Sequence, residues 1–412
     1  MGTRIQAALS RAGQWGAIAL GASIPFSVAL DNVLLAVVAA CWLAGGAWRE
    51  TWDMLRANAV AICGLLLFGT LALGVLHVDL RSSEAARFLA KYSDLLFIPL
   101  FAVLLRNADQ RRRALLAFSG SLLAVLLLSY WIAAGLPSGP PLLGTPDNPV
   151  VLKRYLTHGI LMAYGAFLFA RLALDAASGR ARAAWALASM ASGANALMVQ
   201  GRTGYIVLAA LALYLGYAWL RWRGLAGTAA ALAATVAVLA IIPGPFQERF
   251  ALAGADSRSL AAQQARTSNA QRLEMYAVTV EIIRDHPWLG VGTGGFPAAY
   301  AQKKPSGSVV AQSRNPHNEY LLMAAQTGLA GLALLVALFW TQWQIAPRLA
   351  TPLEADLSRA LVLAVAIGCL FNSLLLDHTE GLLYAWLTGV LCGGLKGPVM
   401  GNGKWEMENR AR

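Results

Sequence analysis

Charge is what this 412-residue chain has least of. Asp, Glu, Lys and Arg make up 13% of it, about half the share that ordinary soluble domains carry. So few charges cannot clothe a water-facing surface, which excludes a soluble globular protein. Cysteine is scarce as well. Cys41, Cys63, Cys369 and Cys392 each fall inside an apolar run and none forms a CxxC pair. They read as small buried hydrophobes, with no disulfide framework and no thiolate metal site expected. No inner loop is long enough to fold alone, which argues against a signalling or structural membrane protein. No strand precedes Gly290, Gly292, Gly294 and Gly295 and no long helix clearly follows them, so a dinucleotide site is rejected. These glycines read instead as a tight turn and a close packing contact.

What the chain does have is apolar length. It is 58% hydrophobic, with a mean hydropathy of +0.55. The runs are roughly 17–25 residues long, enough to cross the hydrocarbon core as helices. They lack strict alternation, so helices are favoured over a barrel. The expected class is an all-α integral membrane protein of about twelve spans. They are placed at 14–30, 32–48, 58–77, 92–106, 114–135, 154–174, 183–200, 203–220, 225–243, 318–345, 357–376 and 379–396. Tight turns at Asp31-Asn32 and Asp377-His378 divide long apolar stretches. Arg4 and Arg11 followed by the run from Trp15 to Leu30 read as a retained first helix rather than a cleaved signal.

Basic residues set the orientation. Nineteen of the 33 Lys and Arg residues fall on one side of these spans, which the positive-inside rule makes cytoplasmic, with both termini there. The expected layout is spans one to nine in 1–243, an outer loop in 244–317, three spans in 318–396 and a cytoplasmic tail in 397–412. The outer loop carries eight basic residues and so attracts anions. All five histidines, His77, His158, His286, His317 and His378, map to the same outer face. Within the loop, residues 268–284 show helical spacing at Leu273, Tyr276, Ala277, Val280 and Ile283. Pro316-His317-Asn318-Glu319 opens the tenth span.

The stretch from Arg272 through HPWLGVGTGGF (286–296) to PHNEYLLMAAQTGLAG (316–331), with QGRTGY (200–205) before it, resembles the O-antigen ligase and polymerase superfamily. The motifs cover about 70 residues and the architecture most of the chain. The resemblance implies a GT-C-like polytopic glycosyltransferase with a large periplasmic loop between helices nine and ten, in a bacterial inner membrane. It implies a glycan donor on undecaprenyl diphosphate, a lipid A–core acceptor, a periplasmic active site and no cofactor or metal. Membrane lipids are the expected surroundings and nucleic acid is not a partner. The related polymerases would use a second lipid-linked repeat unit, and the related protein O-oligosaccharyltransferases a Ser or Thr hydroxyl. Arg284 and Gly295 have the spacing of a polymerase motif, though one copy is apparent rather than two.

The chemistry asks for the residue types that the motifs supply. Breaking a sugar–diphosphate bond puts negative charge on the leaving group, and an arginine fork binds phosphate bidentately while staying charged. Histidine can take or orient the acceptor proton near neutral pH. Arg202, Arg272 and His317 match the superfamily's functional residues and are the catalytic candidates. Arg266, Arg314, Arg87, Lys91, Lys153, Arg154 and Asp377 are the candidates for holding the diphosphate. A plain structural role stands beside each of them: headgroup anchoring, helix capping, turn formation or solvated charge. A transporter is the competing class. It is disfavoured because few charges lie in mid-span and the two halves show no repeat.

Overall fold

The computed structural model describes residues 2–78, 83–137, 139, 144–241, 268–306, 308, 310 and 312–396. Among these the only β pairing is an isolated bridge between Thr145 and Asn148. In chain order the α-helices are α1 (Gly2–Ser23), α2 (Val28–Gly45), α3 (Trp48–Ala57), α4 (Ala59–Gly74), α5 (Ser83–Lys91), α6 (Ile98–Leu104), α7 (Ala108–Ala133), α8 (Tyr155–Asp175), α9 (Gly179–Met198), α10 (Arg202–Ile241), α11 (Ser268–Asp285), α12 (Phe296–Lys303), α13 (Glu319–Ile345), α14 (Pro352–Gly368) and α15 (His378–Cys392). Among the described residues six helices are long and apolar enough to cross a membrane: α2, α4 with its extension to His77, α7, α8, α10 and α13.

Several elements depart from the sequence expectation. The first turn lies at Pro25, not at Asp31-Asn32. Proline has no N–H and disfavours helix in the residue before it, so α1 ends at Ser23. Ser27 then caps α2 by accepting the Leu30 N–H, and Asp31 lies fully buried in the first turn of α2. The run expected as a span at 92–106 is instead a 3-10 stretch, Ser93–Phe97, followed by the seven-residue α6. Pro99 in the first turn of α6 sets a helix start in the middle of the run. Every residue of α6 is buried, so this segment is apolar because it lies inside the protein. The run at 357–376 is helical only to Gly368, and residues 369–377 form an irregular strip. Spans 203–220 and 225–243 form one helical stretch that reverses at Leu220 and Arg221 (φ 54°), bringing Gly216 against Gly224.

Helix α11 forms where expected but buries a different face. Met275, Val278, Thr279 and Ile282 are buried, while Leu273 is 55% exposed. Helical periodicity fixes the spacing of a stripe, not which of two apolar stripes turns inward.

Close helix packing in lipid relies on small residues. Gly21 lies under the Trp386 ring, whose Nε1–H donates to the Ala17 carbonyl at 2.8 Å. Gly159 of α8 meets Gly204 of α10 backbone to backbone, and this contact draws together the first turns of both helices. Away from those first turns, the other end of the bundle is tied by ion pairs. Arg111 binds Glu354 at 2.7 Å with both side chains buried, and Arg171 binds Asp356 at 3.0 Å.

The glycine-rich loop docks into a broken helix. Gly328 interrupts α13 with φ 68° and ψ −168°, a conformation open essentially to glycine alone. The break frees the Ala325 and Gln326 carbonyls, which accept from Val291 N–H (2.8 Å) and Gly292 N–H (2.9 Å). Beyond the break, Leu329 N–H donates to the Pro287 carbonyl at 2.8 Å. Gly290, Gly292 and Gly294 all have positive φ, and added side chains would strike neighbouring backbone. Gly328→Ala is therefore expected to destabilise the protein by about 1–3 kcal/mol. Thermal unfolding in detergent should show a drop of several degrees, and an unchanged midpoint would refute the docking role.

Candidate active site

Five segments converge where α8 and α10 begin. Arg154 to Thr157 open α8, and Gln200, Arg202 and Thr203 join α9 to α10. Arg272 projects from α11, Asn315 and His317 precede α13, and Asn372 and Asp377 come from the irregular strip. Together they line a cavity of about 480 Å³. Three of the lining side chains are arginines and one is a carboxylate, so the cavity is cationic. The N-termini of α8 and α10 add positive dipole ends to it.

The strip is stitched to the start of α13. Asn318 caps α13 by accepting the Leu321 N–H, while its Nδ2 donates to the Leu370 carbonyl at 3.1 Å. The backbone N–H of Glu319 donates to the Cys369 carbonyl at 2.8 Å. The fully buried Glu319 carboxyl accepts from the Tyr92 hydroxyl at 2.6 Å and from the Leu375 N–H at 3.1 Å. These bonds fix the floor beneath His317.

His317 is held in an unusual way. Its φ is 53°, the left-handed region that non-glycine residues rarely enter, at a cost of about 1–3 kcal/mol. Its N–H donates to Asn315 Oδ1 at 2.9 Å. Its Nδ1 lies 3.0 Å from Asn372 Oδ1. Asn372 Nδ2 in turn donates to Asp377 Oδ2 at 3.1 Å. The carboxylate accepts from the amide NH₂, so the amide oxygen is the end that faces histidine. An oxygen cannot donate, so Nδ1 carries the proton and Nε2 is the basic nitrogen.

Burial pushes the Asp377 carboxyl above its ordinary value of 3.8, and Lys91, Asn372, Arg154 and His317 hold it down in part. Protonated Asp377 is a poorer acceptor for Asn372, so acid loosens the chain that orients His317. The site should lose activity as pH falls through this raised value, and Asp377→Asn should flatten this group's share of the acid limb. A profile of glycan transfer against pH, compared between the native protein and Asp377→Asn, checks this. Identical acid limbs would contradict the chain.

The structure gathers Arg154, Arg202, Arg272, His317 and Asp377 into one cavity. Lys91 acts on Asp377 by its charge. Arg314 lines an adjoining pocket with His317 and lies 3.9 Å from Glu84. Arg87 pairs with the same carboxylate at 2.6 Å and does not line the cavity. Lys153 is buried and donates to the Thr379 hydroxyl at 3.1 Å, turned away from the cavity lining. Burial lowers its pKa, while Asp31 and Glu380 oppose that shift. Arg266 lies outside the described residues. Asn372 and Asn315 were not singled out from the sequence. The signal for Asn372 was present, because Asn372-Ser373 interrupts an otherwise apolar run.

Residues 185–336 match the family model described as O-antigen ligase. Over that stretch, a little more than a third of its length, the chain is similar to the O-antigen ligases. No curated protein matches it. The matched stretch contains Arg202, Arg272, Arg314 and His317, whereas Arg154, Asn372 and Asp377 lie outside it. O-antigen ligase family members are glycosyltransferase-type enzymes acting on O-antigen. With six described helices long and apolar enough to cross a membrane, the chain is a multi-pass membrane protein.

Proposed function

We propose that the protein is an O-antigen ligase that moves a glycan from undecaprenyl diphosphate to a sugar hydroxyl of lipid A–core. The observation that carries this reading is the cationic cavity in which Arg154, Arg202 and Arg272 share walls with a histidine locked in one tautomer. A periplasmic cavity in the inner membrane is part of this reading, and the excess of basic residues at the other loops supports it. Twelve spans with both termini cytoplasmic, and segment 244–317 as the periplasmic loop, belong to the same proposal.

In the proposed step the arginines hold the diphosphate and neutralise the charge that develops on it. The acceptor hydroxyl gives its proton to His317 Nε2 while its oxygen bonds to the anomeric carbon. The bond from that carbon to the phosphate oxygen breaks, and undecaprenyl diphosphate leaves with the electron pair. Asn372 and Asp377 keep the imidazole oriented and support the imidazolium that forms. Arg202, Arg272 and His317 are the residues assigned to the chemistry. Arg154 and Lys91 supply surrounding positive charge, with Arg266 and Arg87 as further cations proposed to favour the donor.

Reconstitution tests the reading. Purified protein is incubated with undecaprenyl-diphosphate-linked glycan and lipid A–core, without added nucleotide. Glycan appearing on the core is the expected result. Glycan growing only on the lipid carrier would make the protein a polymerase instead, and movement of intact donor across the bilayer without transfer would make it a transporter.

A further inference from the structure

A second pocket adjoins the cationic cavity, and the two share His317 and Asn315 as a common wall. Its lining differs in kind. Gln271, Gln312, Ser313 and Asn315 contribute amide and hydroxyl groups, Met275 and Val310 contribute apolar surface, and Arg314 is the one cation among the described residues. Helix α11 serves both spaces at once: Arg272 lines the cavity, while Gln271 and Met275, one turn apart on the same helix, line the pocket.

Rested on the reading above, this arrangement has a chemical meaning. Displacement at a sugar carbon needs the nucleophile to enter opposite the departing oxygen. A diphosphate held by arginines therefore leaves the acceptor to arrive from a separate space that still touches the base. Carboxamides and hydroxyls flanked by apolar surface are what a neutral saccharide ring presents best against, because each amide both donates and accepts. We propose that the pocket lined by Gln271, Gln312, Ser313 and Asn315 is the binding site for the acceptor saccharide, whose reacting hydroxyl meets His317 at the shared wall. Arg314 gives the pocket a preference for an acceptor sugar that bears an anionic substituent.

The test is a Gln271→Leu/Gln312→Ala double variant of the purified full chain. Both substitutions leave the arginines and His317 in place. Transfer rates are measured against lipid A–core concentration and, separately, against donor concentration. Binding of lipid A–core and of undecaprenyl diphosphate is measured directly alongside. The expected result is a rise in KM for lipid A–core of about tenfold, the effect of losing one or two neutral hydrogen bonds, with kcat and donor KM unchanged. Lipid A–core binding should weaken by the same factor and undecaprenyl diphosphate binding should not. A raised donor KM would overturn the assignment by giving the pocket to the donor's own glycan, and unchanged constants throughout would overturn it outright. Lipid A–core that binds the native protein through Gln271 and Gln312 without being glycosylated would sustain the saccharide site while refuting the ligase reaction.

Discussion

Replacing His317 by Asn should abolish glycan transfer, by about 10²–10⁴-fold, while the protein still inserts and binds undecaprenyl diphosphate. Asparagine is the informative substitution because of the backbone. His317 sits at φ 53°, and asparagine tolerates this region where alanine is strained. A loss of activity in His317→Ala mixes missing chemistry with a strained turn, whereas His317→Asn isolates the chemistry. Loss of the base leaves the arginines untouched, so donor affinity is the internal control. Transfer within a few fold of the native rate in His317→Asn would remove histidine from the mechanism. The supporting residue gives a graded companion result: Asn372→Leu should lower kcat more than either KM, since it frees the imidazole to rotate without touching a substrate.

The second large effect concerns charge. Arg202→Ala and Arg272→Ala should each cost about 10²–10³-fold in transfer, the magnitude of losing one fixed donor to a developing anion. Both line the same cavity, so the losses are expected to be less than multiplicative when combined. Lysine should rescue poorly. It restores one charge but not the planar fork that grips two phosphate oxygens. Kinetics of the Ala and Lys variants against donor concentration separate the possibilities. Full rescue by lysine would mean that only net charge matters there, and normal rates in both alanine variants would move the diphosphate elsewhere.

Much of this site was legible in the sequence, and the reasons for the gaps are physical. Arg202, Arg272 and His317 are about 45 to 115 positions apart in the chain, yet motif resemblance named all three, and the fold brings them to one cavity. Arg154 and Asp377 followed from their places at the ends of apolar runs. Asn372 was hidden because hydropathy treats Leu-Phe-Asn-Ser-Leu as the tail of a span, whereas the helix stops at Gly368 and the strip turns back over α13. The division of the 92–106 run into a 3-10 stretch and the short α6 was hidden for a related reason: a run buried inside protein is as apolar as one that faces lipid. Lys153 illustrates the reverse case. Beside Arg154 it looked equally available to an anion, but successive residues point in different directions, and its ammonium turns inward to Thr379. The register of α11 needed the tertiary structure, since two apolar stripes competed for the same neighbours.

Labelling of a single cysteine in the cavity tests whether the cavity opens to the periplasm and holds the diphosphate. Gln200→Cys is placed in a background in which Cys41, Cys63, Cys369 and Cys392 are replaced, so that the new thiol lies on the cavity wall. A membrane-impermeant maleimide is applied to cells whose outer membrane has been permeabilised, and then to purified protein with and without undecaprenyl diphosphate. Labelling from the periplasmic side, protection by undecaprenyl diphosphate, and loss of that protection in Arg272→Ala are expected. Labelling only after the inner membrane is breached, or full labelling at saturating undecaprenyl diphosphate, would contradict this expectation.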